Sequence, residues 1–314
     1  RSLRALSPRC GAFANVMSKR QGQYGRRGRH DMPNTLDAFE AAPIEWRRRR
    51  FFFGRVILGA VAISVLLFLS LPILVVMPMS FSSASTLQFP PPGLSLRWYA
   101  AFFTDRRWMD DLWTSLEVAL AASTLALLLG GSAAYGLVRG RFAGRLVVEA
   151  NFILPIVIPS VITALALYLV FARIGLLGTL PALIIGHMVL GVPVVVLVMT
   201  VAFRGFDVRL EQVAFTLGAS PRVMLLRVLL PNVLPSIGAA WIFAFITSVD
   251  EVIVTIFISG TYETIPKRMF NELVLQIDPT ITAIASLLTG ISILLLVISA
   301  LLMRSGERAK SGYD

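Results

Sequence analysis

Two neighbouring carboxylates inside an apolar run are the side chains of this sequence best placed to do chemistry. Asp250 and Glu251 fall about fifteen residues past the start of an otherwise apolar stretch, roughly 22 Å along a helix rising 1.5 Å per residue. An ionised carboxylate facing lipid at such depth costs several kcal/mol, so it must face protein or a water-filled path. Adjacent helical residues point about 100° apart, so one of the two is expected to line that path. An acidic lining suits a cationic solute. Trp241, Phe243 and Phe245 lie below them on the same stretch, with ring faces able to stack on an alkyl-ammonium chain. Both features also have plainer readings. The acids could serve a helix N-terminus or Arg173, and the aromatics could simply pack.

Other candidates carry less. His187, in Gly186-His-Met, reads either as a hydrogen-bonded packing element or as a proton relay. Gly130-Gly-Ser132 lacks the Gly-x-Ser-x-Gly frame of a hydrolase and has no acid at its depth, so its small residues are read as helix packing. No Gly-x-x-x-x-Gly-Lys-Ser/Thr phosphate loop is present, so ATP cannot be bound by that route. Cys10 is the sole cysteine, which excludes an internal disulfide and a cysteine metal site. No metal site is expected, and no covalent chemistry.

The elements that position these residues are apolar spans. The chain has 314 residues, 56% of them hydrophobic, with mean hydropathy +0.76, outside the range of soluble domains. Its charges clump, and the gaps between clumps are long enough to cross a bilayer, which takes roughly 20 helical residues. Six spanning helices are expected near 56–78, 115–137, 152–172, 181–203, 235–258 and 282–303. The runs are continuously apolar and not alternating, which excludes a barrel. The expected fold class is an all-α polytopic membrane protein.

Orientation follows from Lys and Arg. With the N-terminus inside, 23 of the 29 basic residues fall on the cytoplasmic side and six on the outer side. Both termini are therefore expected in the cytoplasm. The net charge of +11 is mostly this bias plus a basic N-terminal tail, and no nucleic-acid partner is inferred from it. Residues 1–50 are expected to be a disordered cytoplasmic tail beside anionic lipid, 51–304 the transmembrane domain, and 305–314 a short cytoplasmic tail. Met17-Ser-Lys-Arg reads as a natural start, which would make residues 1–16 upstream sequence. Residues 79–112 form the longest outer loop, where Trp108 and Trp113 are expected at the membrane–water interface. Leu154-Pro-Ile-Val-Ile-Pro-Ser160 and Leu230-Pro-Asn-Val-Leu-Pro-Ser236 echo one another, either as two helix starts or as traces of two related halves.

The inner loop 204–234 is far longer than a turn requires. Asp207 can cap a helix starting at Val208, with Leu210, Val213, Ala214 and Leu217 along one face and Arg209, Glu211 and Gln212 elsewhere. Gly218 then ends that helix, followed by Ala219, and Ser220-Pro221 starts a second one running to Leu230 and Pro231. Such a knob can seat in a cleft on a partner. The residues alone equally allow a helix lying on the lipid surface.

The spacing resembles the cytoplasmic Glu-Ala-Ala loop of ABC-importer permeases. Residues 95–304 are most similar to the polyamine (spermidine/putrescine) branch. The resemblance is carried by Leu96-Arg-Trp-Tyr99, Gly205-Phe-Asp-Val-Arg209, Leu217-Gly-Ala-Ser220 and Val228-Leu-Leu-Pro231. It continues through Ser248-Val-Asp-Glu-Val-Ile-Val-Thr-Ile-Phe-Ile-Ser-Gly260, Ile265-Pro-Lys-Arg-Met-Phe270 and Asp278-Pro-Thr280. One departure stands out: where the family has Glu-Ala-Ala, this chain has Gln212-Val213-Ala214, with Glu211 one place earlier. The resemblance implies a type I importer permease in a bacterial inner membrane, moving a small cationic solute inward. It implies that Asp207, Arg209, Glu211, Gln212, Ala214, Gly218, Ala219, Ser220, Leu230 and Pro231 couple to an ATPase. It also implies two copies of that ATPase, which would hold ATP and magnesium, a second and paralogous permease, and an extracytoplasmic solute-binding protein. Asp250, Glu251, Trp241 and Phe245 would belong to the solute path. Another solute, such as an opine or an amino acid derivative, is compatible with the same machinery. A secondary transporter has no reason to keep the knob.

Overall fold

In a computed structural model, the described residues are 45–275 and 278–311, with side chains over 55–274 and 278–304. The expected tail and the candidate start at Met17 lie outside them, apart from residues 45–50, which are helical. Two compact units divide the chain, 1–68 and 69–314. Helix α1 (Glu45–Ser80) supplies the described part of the first unit and the beginning of the second.

The second unit continues with α2 (Arg97–Thr104), α3 (Arg106–Arg139), α4 (Arg145–Val157), α5 (Ser160–Arg173) and α6 (Leu180–Arg204). It closes with α7 (Val208–Thr216), α8 (Pro221–Val249), α9 (Ile253–Ile258), α10 (Ile265–Leu275) and α11 (Thr280–Ser311). Among the described residues the only β pairing is an isolated bridge between Ser82 and Leu94. Among the described residues, five helices are long and apolar enough to cross a membrane, and six spans result if α4 and α5 count as one. A spanning chain must satisfy its backbone polar groups internally, and helices do this within one segment.

The expected spans are corrected in three places. The second starts at Arg106 and not near 115, because Asp105 caps it by accepting from the Arg107 N–H at 2.8 Å. The third is two helices meeting at 106°. Ile158, ahead of Pro159, is extended at ψ 131°, the conformation that a following proline favours. The fifth does not run through to residue 258: α8 stops at Val249, and α9 resumes after the non-helical Asp250–Val252. The sixth span, Thr280–Arg304, matches the expected one, and its helix continues to Ser311.

Three apolar clusters hold the bundle. The first joins Ala126 and Ala134 of α3, Met199 and Phe203 of α6, Ala214 of α7 and Leu229 of α8. The second packs α9 through Val254 and Ile258 against Ala164 of α5 and Leu183 of α6. The third joins Phe102, Trp108, Ile265 and Ile284. Trp108 is thus 4% exposed in the core and not at an interface, whereas Trp113 is 69% exposed. Glycines set the closest crossings, since without a hydrophobic drive between helices in lipid close backbone approach supplies the packing. A Cβ on Gly130 would meet Val195 Cγ1 at 2.9 Å. One on Gly260, whose φ is +59°, would meet the Gly178 Cα at 2.7 Å.

Candidate functional site

The knob is built as its residue types dictate. Asp207 accepts from the Arg209 N–H at 2.8 Å and starts α7. Gly218 follows α7 with φ +84°, the left-handed conformation that L side chains resist. The Ala219 N–H returns to the Ala214 carbonyl at 3.0 Å. Ser220 then accepts from the Val223 N–H, with Pro221 in the first turn. From there α8 runs unbroken past Pro231 to Val249. Its segment Met224–Leu229 is wound as a π-helix, in which the Leu230 N–H bonds to the carbonyl of Leu225, five residues back.

The faces of α7 differ from the expected stripe. Of the four apolar residues placed on one side, only Ala214 is buried. Leu210, Val213 and Leu217 are 47%, 53% and 82% exposed. Glu211 takes the inner position instead, at 7% exposed. It is held there by Arg139, the last residue of α3, whose Nε donates to Glu211 Oε1 at 2.8 Å. The reason is charge: a carboxylate one turn ahead of Ala214 turns inward once a guanidinium awaits it, and the apolar side chains are left outward. Arg209, Gln212, Ser220 and Pro231 are exposed, and Ala219 and Leu230 are half-buried. Arg204, just before the loop, pairs with Glu149 of α4 at 3.0 Å.

Asp250 and Glu251 sit in the break between α8 and α9, not within a continuous helix. Their roles separate there. The Glu251 carboxylate accepts from the Val254 N–H at 2.8 Å and caps α9. Asp250 is exposed, and its carboxylate has no side-chain or backbone partner among the described residues. On α8, one to two turns before the break, Trp241 and Phe245 stack at 5.4 Å between ring centroids with 20° between planes. The Trp241 indole N–H donates to Thr124 of α3 at 3.1 Å. His187, buried in α6, faces Ser248 and Thr255 on either side of the break, at 2.8 and 2.9 Å.

Reading the sequence did not single out one further charged cluster. Arg268 of α10 donates to Asp111 of α3 at 2.7 Å and to Glu272 at 3.2 Å, and its guanidinium lies 4.5 Å over the Trp108 ring. Burial pulls the Arg268 pKa down, but the hydrogen bonds to Asp111 and Glu272 more than reverse this and leave it above its ordinary value. Partners 157 residues apart leave no local signal in a sequence.

The profile of the family described as "binding-protein-dependent transport system inner membrane component" matches residues 126–308, which contain the knob, the break and the last span. The chain belongs to this family. It is an inner-membrane permease subunit of an ABC importer and not an enzyme. Permeases of these importers work with an ATPase and a binding protein. The chain is 28% identical to the spermidine/putrescine transport system permease protein PotC of Escherichia coli K12 over 260 residues, covering 82% of this chain and 98% of that protein. It is 33% identical to the putrescine transport system permease protein PotI of the same strain over 231 residues, covering 71% and 82%. Among solved structures, a bacterial ABC transporter involved in the import of the acidic polysaccharide alginate shares the fold. Its TM-score is 0.59 at 18% identity, over 82% of this chain and 97% of that one. The type I permease architecture expected from the sequence is thereby shown.

Proposed function

We propose that this permease carries a small cationic solute inward, a polyamine of the spermidine or putrescine class. Asp250 would be the carboxylate that receives an ammonium group, with the Trp241–Phe245 stack along the same path. The observation that carries this reading is the division of labour at the break: Glu251 is consumed as a helix cap, while the adjacent Asp250 stays exposed without a partner among the described residues. The names of the two E. coli relatives support the solute class. Knob residues 208–231 would seat in the ATPase, with exposed Leu210, Val213 and Leu217 as the apolar contact and Arg209 and Gln212 at its rim. Two ATPase copies holding ATP and magnesium, a paralogous second permease and an extracytoplasmic binding protein would complete the machine. Both termini would lie in the cytoplasm.

Asp250→Asn keeps shape and removes charge. It forfeits a charge-assisted contact of about 1.5–3 kcal/mol, or about one to two decades in apparent affinity or rate. Spermidine uptake in cells is expected to fall at least about tenfold, with membrane abundance and ATPase co-purification unchanged. Glu251→Gln, which retains an oxygen to accept from Val254, is expected to be mild. Normal uptake by Asp250→Asn would refute the reading.

A further inference from the structure

We infer that His187 is a positioning residue: it clamps the two sides of the break in the fifth span and so keeps Asp250 exposed. The inference rests on the solute-path reading for its purpose, but its geometry stands alone. His187 is 2% exposed, and both its ring nitrogens are engaged. Nδ1 lies 2.8 Å from Ser248 Oγ, in the last turn of α8. Nε2 lies 2.9 Å from Thr255 Oγ1, in the first turn of α9. Asp250–Val252 is what separates those turns.

The hydrogen-bond network gives the imidazole a direction. With the imidazole proton on Nε2, Thr255 accepts from His187 and its hydroxyl donates to the Glu251 carbonyl at 3.2 Å. Nδ1 is then the acceptor for the Ser248 hydroxyl. One chain of donors results, from Ser248 through the neutral imidazole to Thr255 and on to Glu251. Neutral imidazole offers a donor and an acceptor on opposite ring edges, which a carboxamide does not.

Packing explains why α6 can place a ring there. A Cβ on Gly186 would meet Ile258 Cδ1 at 2.5 Å, so α6 presses closely on α9. One on Gly191, about one turn past His187, would crowd Ala126 Cβ of α3 at 3.1 Å and make ordinary contact with Ala244 Cβ of α8 at 3.6 Å. His187 lies between these two contacts. The far end of α9 is fastened separately, since the Ile258 carbonyl accepts from the Gly178 N–H at 3.0 Å. Glu251 also links the two sides: its N–H reaches the Ser248 carbonyl at 3.4 Å, and its carboxylate accepts from the Val254 N–H at 2.8 Å. The Asp250 carboxylate has no hydrogen-bond partner among the described residues to hold its direction, so its placement follows from whatever fixes Ser248 and Thr255.

The test uses the assembled transporter in membrane vesicles, with Cys10→Ser removing the sole cysteine and Asp250→Cys as reporter. The probe is a thiol reagent carrying a trimethylammonium group. Adding Thr255→Val, which keeps shape and deletes the hydroxyl, is expected to slow labelling about tenfold, the population shift that one buried hydrogen bond supports. Thr255→Ser is expected to restore the rate. His187→Ala is expected to slow labelling equally, and the combination with Thr255→Val no further, because one clamp is being removed twice. Should His187→Ala fail to assemble, the Thr255→Val and Thr255→Ser pair decides. Unchanged labelling in Thr255→Val at equal abundance would overturn the clamp, as would additive losses. Spermidine protection of the reporter is read separately. Weak protection is expected there, since the reporter itself lacks the carboxylate; the solute-path reading is decided by Asp250→Asn uptake, and normal uptake in that variant would sink it while leaving the clamp standing.

Discussion

At its start α3 offers an acid, Asp111, to Arg268 of α10; at its last residue it offers a base, Arg139, to Glu211 of α7. The two grips are about 42 Å apart along the helix, at 1.5 Å per residue, yet they differ in how completely they are enclosed. Around Arg268 four groups converge: Asp111, Glu272, the Trp108 ring and a wall of apolar core. Around Arg139 there is one carboxylate, on a short helix whose other faces carry exposed leucine, valine and phenylalanine. The first grip is finished within the chain. The second holds a knob in place and leaves its apolar side exposed, the side proposed above as the ATPase contact. A closed cluster of charge serves the protein's own architecture; on the proposed function, a single charge pair under an uncovered apolar face would serve assembly.

The contrast can be tested in order of expected effect. Arg268→Met leaves Asp111 charged, buried and unpaired. The expected loss is about 3–5 kcal/mol, seen as a collapse of the thermal transition of detergent-purified protein. Adding Asp111→Leu is expected to recover most of it, because replacing both partners by apolar groups removes the uncompensated charge. Glu211→Gln is expected to cost less, about 1.5–3 kcal/mol for a hydrogen bond to a charged group. Its signature is reduced ATPase recovery on pull-down, and exchanging the pair as Arg139→Glu with Glu211→Arg is expected to restore it. If Glu211→Gln destabilises as much as Arg268→Met, the two grips are alike and the comparison fails. Gly218→Ala has open space around the new Cβ, so only the positive φ opposes it, and the expected cost is about 1 kcal/mol. ATPase recovery in that variant is expected to fall while insertion is normal. Leu217→Ser, at an exposed position, is expected to change stability by no more than about 0.5 kcal/mol. It would nevertheless lower ATPase recovery, and an unaffected pull-down would remove the apolar face from the coupling surface.

The spans were legible in the sequence because a bilayer demands long apolar runs, and such runs need no alignment to be seen. The knob was legible because Asp207, Gly218 and Ser220-Pro221 act through local backbone chemistry. The ion pairs were not, since Arg139 meets a residue 72 positions away and Arg268 one 157 away. The two copies of Leu-Pro-x-Val-x-Pro-Ser mark the limit of local reading. At Pro159 the chain turns through 106°; past Pro235 helix α8 runs on without a break. The residue types are the same, but the packing differs. Leu229 and Val233 anchor α8 in the core, whereas α4 has no buried residue to hold it in line.

The π-wound segment Met224–Leu229 has a consequence for how this gene can change length. An i→i+5 turn holds one residue more than the α-helix it interrupts. Losing one codon within 224–229 would let the turn relax to ordinary α-helix, with the docking knob on one side and the span on the other still facing their present neighbours. Losing a codon elsewhere in α8 would rotate everything beyond it by about 100° and draw it in by about 1.5 Å. Between the knob and the span, the protein thus carries a single residue of slack, where the reading frame of its structure can be shortened without being shifted.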